Sequence, residues 1–173
     1  VKKYVYQKVL SEGCIKKGTT LYHGTTSKEL LLDDNKTTYF GLEPMISIWY
    51  TLEEAEKKQS KGCEREIGKG YVYKFRVEEP IRIDRYIEKI REHPGKECCV
   101  HPQVALRGYD NYHACMGPFD LSIEVTLPPE QRKSLKLLRV FEVDVKSLQK
   151  YISCPIRGLR LLKVGDEIKI NFL

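Results

Sequence analysis

Hydrophobic and polar positions along this chain repeat mostly with period two, the mark of half-buried strands. Tyr71-Val72-Tyr73-Lys74-Phe75-Arg76-Val77 is the clearest example, rich in aromatic and β-branched residues. Thr19 to His23 alternates behind a turn at Lys17-Gly18, and Leu121 to Leu127 reads as another strand, broken by Pro128-Pro129-Glu130. Leu135 to Val145 alternates so that Leu135, Leu137, Arg139, Phe141, Val143 and Val145 share one face. Gly158 to Val164 and Glu167 to Phe172 flank Gly165-Asp166 and predict a hairpin. Ile81 to Asp84 either extends the strand ending at Val77 or forms its own. Leu30 to Asp34 leaves a helical turn and a short strand both open, and Val1 to Ile15 leaves strand and helix open.

The helical period is strongest after Glu43-Pro44, because proline suits the first turn of a helix. Met45, Ile48, Trp49, Leu52 and Ala55 then make one apolar face in a helix reaching Lys58. Asp84 is placed to cap a second helix, Arg85 to Glu92, ended by His93-Pro94-Gly95. Ser147 to Ile152 predicts a short third one. Ser60 to Gly70 is a polar, glycine-containing loop, and Lys96 to Pro118 is an irregular excursion with short strand pieces. No repeat or low-complexity linker interrupts the pattern. The 173 residues therefore predict a single domain, 1–173, of the α+β class, with many antiparallel strands and two or three helices.

Composition narrows the function classes. A hydrophobic share of 41% suffices for a sizeable core and excludes wholesale disorder. No apolar run approaches the ~20 residues of a membrane helix, and VKKYVYQKVL is too charged for a signal peptide. The net charge of +6 favours anionic ligands. The basic residues are spread along the chain, with clusters only at Lys57-Lys58-Lys61, Arg132-Lys133 and Arg157-Arg160, so solubility explains them better than a nucleic-acid face. Six cysteines include no CxxC pair. Cys98, Cys99, His101, His113 and Cys115 could be drawn together as a metal site, but adjacent cysteines fit tetrahedral zinc poorly. Lone thiols in a reducing compartment account for them better, which predicts an intracellular protein, cytoplasmic or nuclear, without a metal.

Candidate chemistry concentrates between Thr20 and Tyr50. Leu21-Tyr22-His23-Gly24-Thr25 is a strand ending in His-Gly-Thr; Tyr39-Phe40-Gly41 follows, then Ser47-Ile48-Trp49-Tyr50 on the predicted helix. Later comes Gly108-Tyr109-Asp110-Asn111, and then Glu124 within a strand. Taken together these motifs, over roughly residues 19 to 145, resemble the His-Tyr-Glu, poly(ADP-ribose) polymerase-like branch of the ADP-ribosyltransferase superfamily. The loop between the first two motifs is shorter than in the polymerases, as in a minimal, divergent member. The resemblance implies a split antiparallel β-sheet core and NAD as substrate. It implies cleavage of the nicotinamide–ribose bond and transfer of ADP-ribose to a protein or nucleic-acid acceptor. It assigns His23, Tyr50 and Glu124 as catalytic, and His23, Gly24, Thr25, Tyr39, Ser47 and Tyr50 as NAD-binding, with no metal. Asp120 competes with Glu124 for the acid's place.

The residue types suit that chemistry. An aromatic face such as Tyr50 attracts a flat cationic ring, and Gly24 lets a carboxamide approach the backbone. His23 can donate to a ribose hydroxyl through one ring nitrogen while a neighbour fixes the other. A carboxylate at Glu124 would stabilise an oxocarbenium-like ribose. Two other functions are compatible: a module that holds NAD, ADP-ribose or a partner without turnover, and a relative of the tRNA 2′-phosphotransferases. The latter rely on an arginine set and a second histidine that are not found convincingly here. Acceptor, product length and oligomeric state stay open.

Overall fold

The strand at residues 69–77 is the centre on which the rest is assembled. A computed structural model describes residues 8, 12–32, 38–62, 67–82, 103–108, 121–127, 129–146, 159–162 and 170–172. In chain order the elements are β1 (Cys14–Ile15), β2 (Thr20–Thr25), β3 (Leu30–Leu32), β4 (Thr38–Gly41), α1 (Pro44–Ser60), β5 (Lys69–Val77), β6 (Ile81–Arg82) and β7 (Gln103–Gly108). They continue with β8 (Leu121–Leu127), α2 (Pro129–Arg132), β9 (Leu135–Asp144), β10 (Leu159–Leu162) and β11 (Ile170–Phe172). The molecule is a mixed α+β fold. Its main sheet has seven strands in the order β10-β9-β5-β2-β4-β8-β7, every pairing antiparallel.

Alternation sends the side chains of β5 to two cores. Tyr71, Tyr73, Phe75 and Val77 join Leu21, Phe40, Val125, Leu127 and Val140 on one face. There β1 pairs with β6 and β3 with β11, and these small sheets bring Ile15, Leu30, Leu32 and Ile81 into the same core. Val72 goes to the opposite face with Val143 and Ile48 of α1, flanked by Tyr22, Leu52 and Phe141. Each fully buried aliphatic side chain contributes about 1.5–3 kcal/mol of transfer free energy.

The chain enters β2 through a tight device. Thr19 N–H donates to Lys16 C=O, closing a turn with Gly18 at φ 87°, in the left-handed region that glycine tolerates. Gly18 N–H donates to Val77 C=O, and Val77 N–H donates to Thr19 C=O. Two residues thus oppose one, a glycine-type β-bulge that fixes the phase of the β2–β5 ladder.

Several expectations are corrected here. The odd residues of β9 do not share a face, because a register shift opposite Lys74/Phe75 inserts one residue. Leu135 and Leu137 therefore pack on the β1/β3 side and Phe141 and Val143 on the α1 side, since one extra residue reverses the alternation. Among the described residues β10 and β11 do not pair with each other as a hairpin would require: β10 extends the main sheet beside β9, while β11 pairs in parallel with β3. The break expected at Pro128-Pro129-Glu130 ends β8 at Leu127, and a helical turn, Pro129–Arg132, follows it. The excursion from Lys96 to Pro118 does contain a short strand, as expected: β7, six residues paired along β8. The helix predicted at 85–92, the one at 147–152 and the cluster of Cys98, Cys99, His101, His113 and Cys115 lie outside the described residues.

Helix α1 spans Pro44–Ser60, with proline at its start as expected. Its buried face differs from the apolar one. Ile46, Ser47, Ile48, Thr51 and Ala55 are buried, while Trp49 and Leu52 are half-exposed. The reason lies in the sheet below. Cβ atoms added at Gly24, Gly41 and Gly70 would meet Ser47 O at 1.8 Å, Ile46 Cγ2 at 1.8 Å and Thr51 Cγ2 at 1.9 Å. Three glycines bring the helix backbone close enough for small polar side chains to be buried.

Candidate active site

The site is built where the seven-stranded sheet is weakest. β2 and β4 are joined by one residue pair, Tyr22 with Gly41, and this seam separates β10-β9-β5-β2 from β4-β8-β7. The bulge at Gly18-Thr19 turns the backbone of Thr19, and hence of Leu21 and His23, toward β5. The backbone N–H and C=O of Tyr22 and Gly24 therefore face β4. Continuing the register would pair Gly24 with Tyr39, but that rung is not formed. Instead His23 Nδ1 lies 2.8 Å from Tyr39 C=O, to which it donates. The strands part at this point, with the main-chain groups of Gly24 on the open side.

Around the seam the side chains divide by face. Tyr39, exposed, and Tyr50 of α1 have ring centroids 6.4 Å apart at 39°. Gly41 pairs with Glu124 across β4 and β8, which places Glu124 under α1. Glu124 is buried, and Tyr50 donates its phenolic hydrogen to Glu124 Oε2. His23 takes the other face of β2, against Phe40, with ring centroids 5.6 Å apart. The structure thus brings Tyr39, Tyr50 and Glu124 together. It links His23 to them only through the Tyr39 carbonyl, with no hydrogen bond or ring contact to Tyr50 or Glu124.

His23 keeps part of its surface in solvent, but its ring is packed closely enough that desolvation lowers its pKa below 6.5. The Tyr39 carbonyl and Glu54 pull it up, and Arg132 pushes it down. The neutral form with hydrogen on Nδ1 leaves Nε2 a lone pair. This corrects one expectation: neutral His23 accepts from a hydroxyl at Nε2, and it donates there only when protonated.

Three residues assigned to NAD, Gly24, Thr25 and Ser47, also have packing or turn roles. Gly24 has a packing duty: its missing side chain is where the Ser47 carbonyl and Thr51 Oγ1 sit. Thr25 Oγ accepts from Ser27 N–H at 3.1 Å, closing the turn after β2. Ser47 is buried at the helix–strand contact, and its C=O accepts from Thr51 Oγ1 at 2.9 Å. Asp120, Tyr109 and Asp110 lie outside the described residues.

Sequence reasoning missed a clamp beside the site. Glu54 accepts from Thr26 N–H and Thr26 Oγ1, each at 3.0 Å, and pairs with Lys58 at 2.6 Å. Desolvation pushes Glu54 up, but the Lys58 and Thr26 hydrogen bonds outweigh it and its pKa is lowered. The i,i+4 spacing of Glu54 and Lys58 was a legible signal; the bond to Thr26 was not. Arg132, read only as part of a basic cluster, is buried and donates from Nη1 to Thr38 Oγ1 at 2.7 Å.

Among the described residues no group of three or more His, Cys, Asp or Glu could hold a metal, and no helix is long and apolar enough to cross a membrane. Comparison with known proteins gives no matching family, no matching curated protein and no matching solved structure.

Proposed function

We propose that this chain is an NAD-dependent ADP-ribosyltransferase working at the seam between β2 and β4. The observation that carries the reading is the Tyr39–Tyr50 ring pair with Glu124 hydrogen-bonded to Tyr50 at its inner end. A flat ring held between two aromatic faces needs about 7 Å, twice the ~3.5 Å carbon contact distance. With centroids 6.4 Å apart and planes tilted 39°, Tyr39 and Tyr50 touch each other directly, so a ligand ring enters only when the exposed Tyr39 side chain swings outward. A cationic pyridinium is attracted by both phenol faces. The backbone of Gly24, turned to the open side, offers a donor and an acceptor to its carboxamide.

In the reaction the bond between the pyridinium nitrogen and ribose C1′ breaks. Nicotinamide leaves neutral with the bonding pair, and the sugar becomes oxocarbenium-like. The Glu124 carboxylate stabilises that charge and takes the proton of the acceptor as it bonds to C1′. His23, on the other face of β2, takes no part in this step; its hydrogen bond to the Tyr39 carbonyl fixes the strand that carries Tyr39.

The test is nicotinamide release and acceptor labelling from labelled NAD. Glu124→Gln should lower release by about 10²-fold or more, the usual effect of one electrostatic group. Wild-type release equal to background, or an unaffected variant, overturns the reading. The Tyr50–Glu124 bond also suits a second reading, in which the acid is held in a structural contact and the module binds without turnover. Calorimetry showing NAD binding with no nicotinamide release would favour it.

A further inference from the structure

Charges scattered along the sequence are gathered by strand register. Lys74 of β5 stands opposite Arg139 of β9, and Arg76 stands opposite Lys136. On the other side of β5, Lys74 pairs with Tyr22 and Arg76 with Thr20. All four cationic residues project on the α1 side of the sheet, beyond the helix. Their strand neighbours Phe75, Val77, Leu135 and Leu137 pack into the opposite core, while Tyr22 packs beside Ile48. The Lys74 ammonium lies 5.8 Å from the Tyr22 ring centroid. Lys136 and Arg139 are exposed; Lys74 and Arg76 are half-exposed.

Like charges directly opposite on neighbouring strands destabilise a sheet, their Cβ atoms being about 4.5–5.5 Å apart. Here two such pairs are stacked, about 7 Å apart along the strands. The counter-charge is one carboxylate: Arg76 Nε meets Glu78 at 2.6 Å, Lys136 acts on Glu78 through space, and Lys74, Lys136 and Arg139 make no direct ion pair among the described residues. A stacked repulsion of this kind is relieved by a bound polyanion.

We propose that Lys74, Arg76, Lys136 and Arg139 form a binding surface for the phosphodiester backbone of a single-stranded nucleic acid. Three features favour that partner over an acidic polypeptide. Two of the four cations are arginines, whose planar forks match phosphate oxygens. Tyr22 sets an aromatic ring beside the cations, as base-stacking surfaces do. The quartet measures only about 5 by 7 Å, a fit to a few phosphates of one strand rather than to the two backbones of a duplex across a groove. Tyr22 is also two residues, about 7 Å, from Gly24 along β2, so a strand seated here would lead toward the seam. Joined to the proposed activity it would be the acceptor, but the binding claim needs neither NAD nor Glu124 and is tested without them.

The experiment is fluorescence anisotropy of a short labelled oligouridylate with the full chain over a salt series. Four phosphate contacts predict a slope of log affinity against log salt of about −3. Lys136→Glu with Arg139→Glu should weaken binding about tenfold or more and flatten the slope by about 1.4. Lys57→Glu with Lys61→Glu, the same change in net charge at the end of α1, should change affinity less than about twofold, because exposed charges far from the contact are screened. The β9 pair should also melt no lower than wild type, since each substitution puts a carboxylate opposite a cation. Arg139→Gln, which adds no new charge, should lose affinity in smaller measure. An equal loss in the α1 control, no binding at the lowest salt, or tighter binding of polyglutamate than of the oligonucleotide would overturn the assignment.

Discussion

Replacing Gly70 with alanine tests the idea that α1 rests on the sheet through missing side chains. The new methyl would lie 1.9 Å from Thr51 Cγ2, with Thr25 O and Thr51 Cβ each at 3.4 Å. One methyl is therefore the obstacle, and it must give by about 1.5 Å to reach ordinary contact. Overpacking of this size costs about 1–3 kcal/mol. At roughly 2–4 °C per kcal/mol for a chain of this length, Tm should fall by about 4–8 °C for a 2 kcal/mol loss. Thr51→Ser removes the obstructing methyl and keeps the hydroxyl that donates to Ser47 C=O. By itself it leaves a small void and costs about 1 kcal/mol. In the double variant Gly70→Ala/Thr51→Ser the added methyl occupies that void. Urea denaturation should then show a favourable coupling energy of about 2–4 kcal/mol, the sum of the two single losses, with the double variant near wild type. Gly24→Ala supplies the contrast. Its methyl would meet the Ser47 carbonyl oxygen at 1.8 Å and carbon at 2.6 Å, which are backbone atoms, so Thr51→Ser should not rescue it. Additive single effects at Gly70 and Thr51, within about 0.5 kcal/mol, would refute the reasoning. So would Gly24→Ala with wild-type stability.

Three further outcomes are expected. Tyr50→Phe removes a donor from the buried carboxylate of Glu124 and should cost about 1–3 kcal/mol in urea, with a less-than-additive effect when Glu124→Gln is added; additivity would mean the contact carries no energy. The lowered pKa of His23 makes the folded state bind its proton less readily than the unfolded chain. Its contribution is thus complete above the ordinary value of 6.5 and lost as pH falls through the lowered folded value. The urea midpoint should decline below 6.5 in wild type, and His23→Gln should flatten that decline. Glu54, also lowered, adds a second loss below 4.5, which Glu54→Gln should remove; unchanged pH profiles in both variants would refute the assignments.

The sequence by itself determined the strands at β2, β5 and β8, the helix that starts at Pro44, the turn at Gly18 and the α+β class. Each rests on alternation, helical spacing or turn chemistry, which are properties of neighbours in the chain. It also drew Tyr39, Tyr50 and Glu124 into one list, and the fold puts them together. What it could not determine were relations between strands. One inserted residue in β9 reversed a face, β11 found β3 instead of β10, and Ser47 and Thr51 were buried because glycines lay beneath them. The seam beside Gly24 and the opposed cations of β5 and β9 exist only once the register is set. Register is chosen by the burial of whole faces across distant segments, a sum to which no single stretch of sequence holds all the terms.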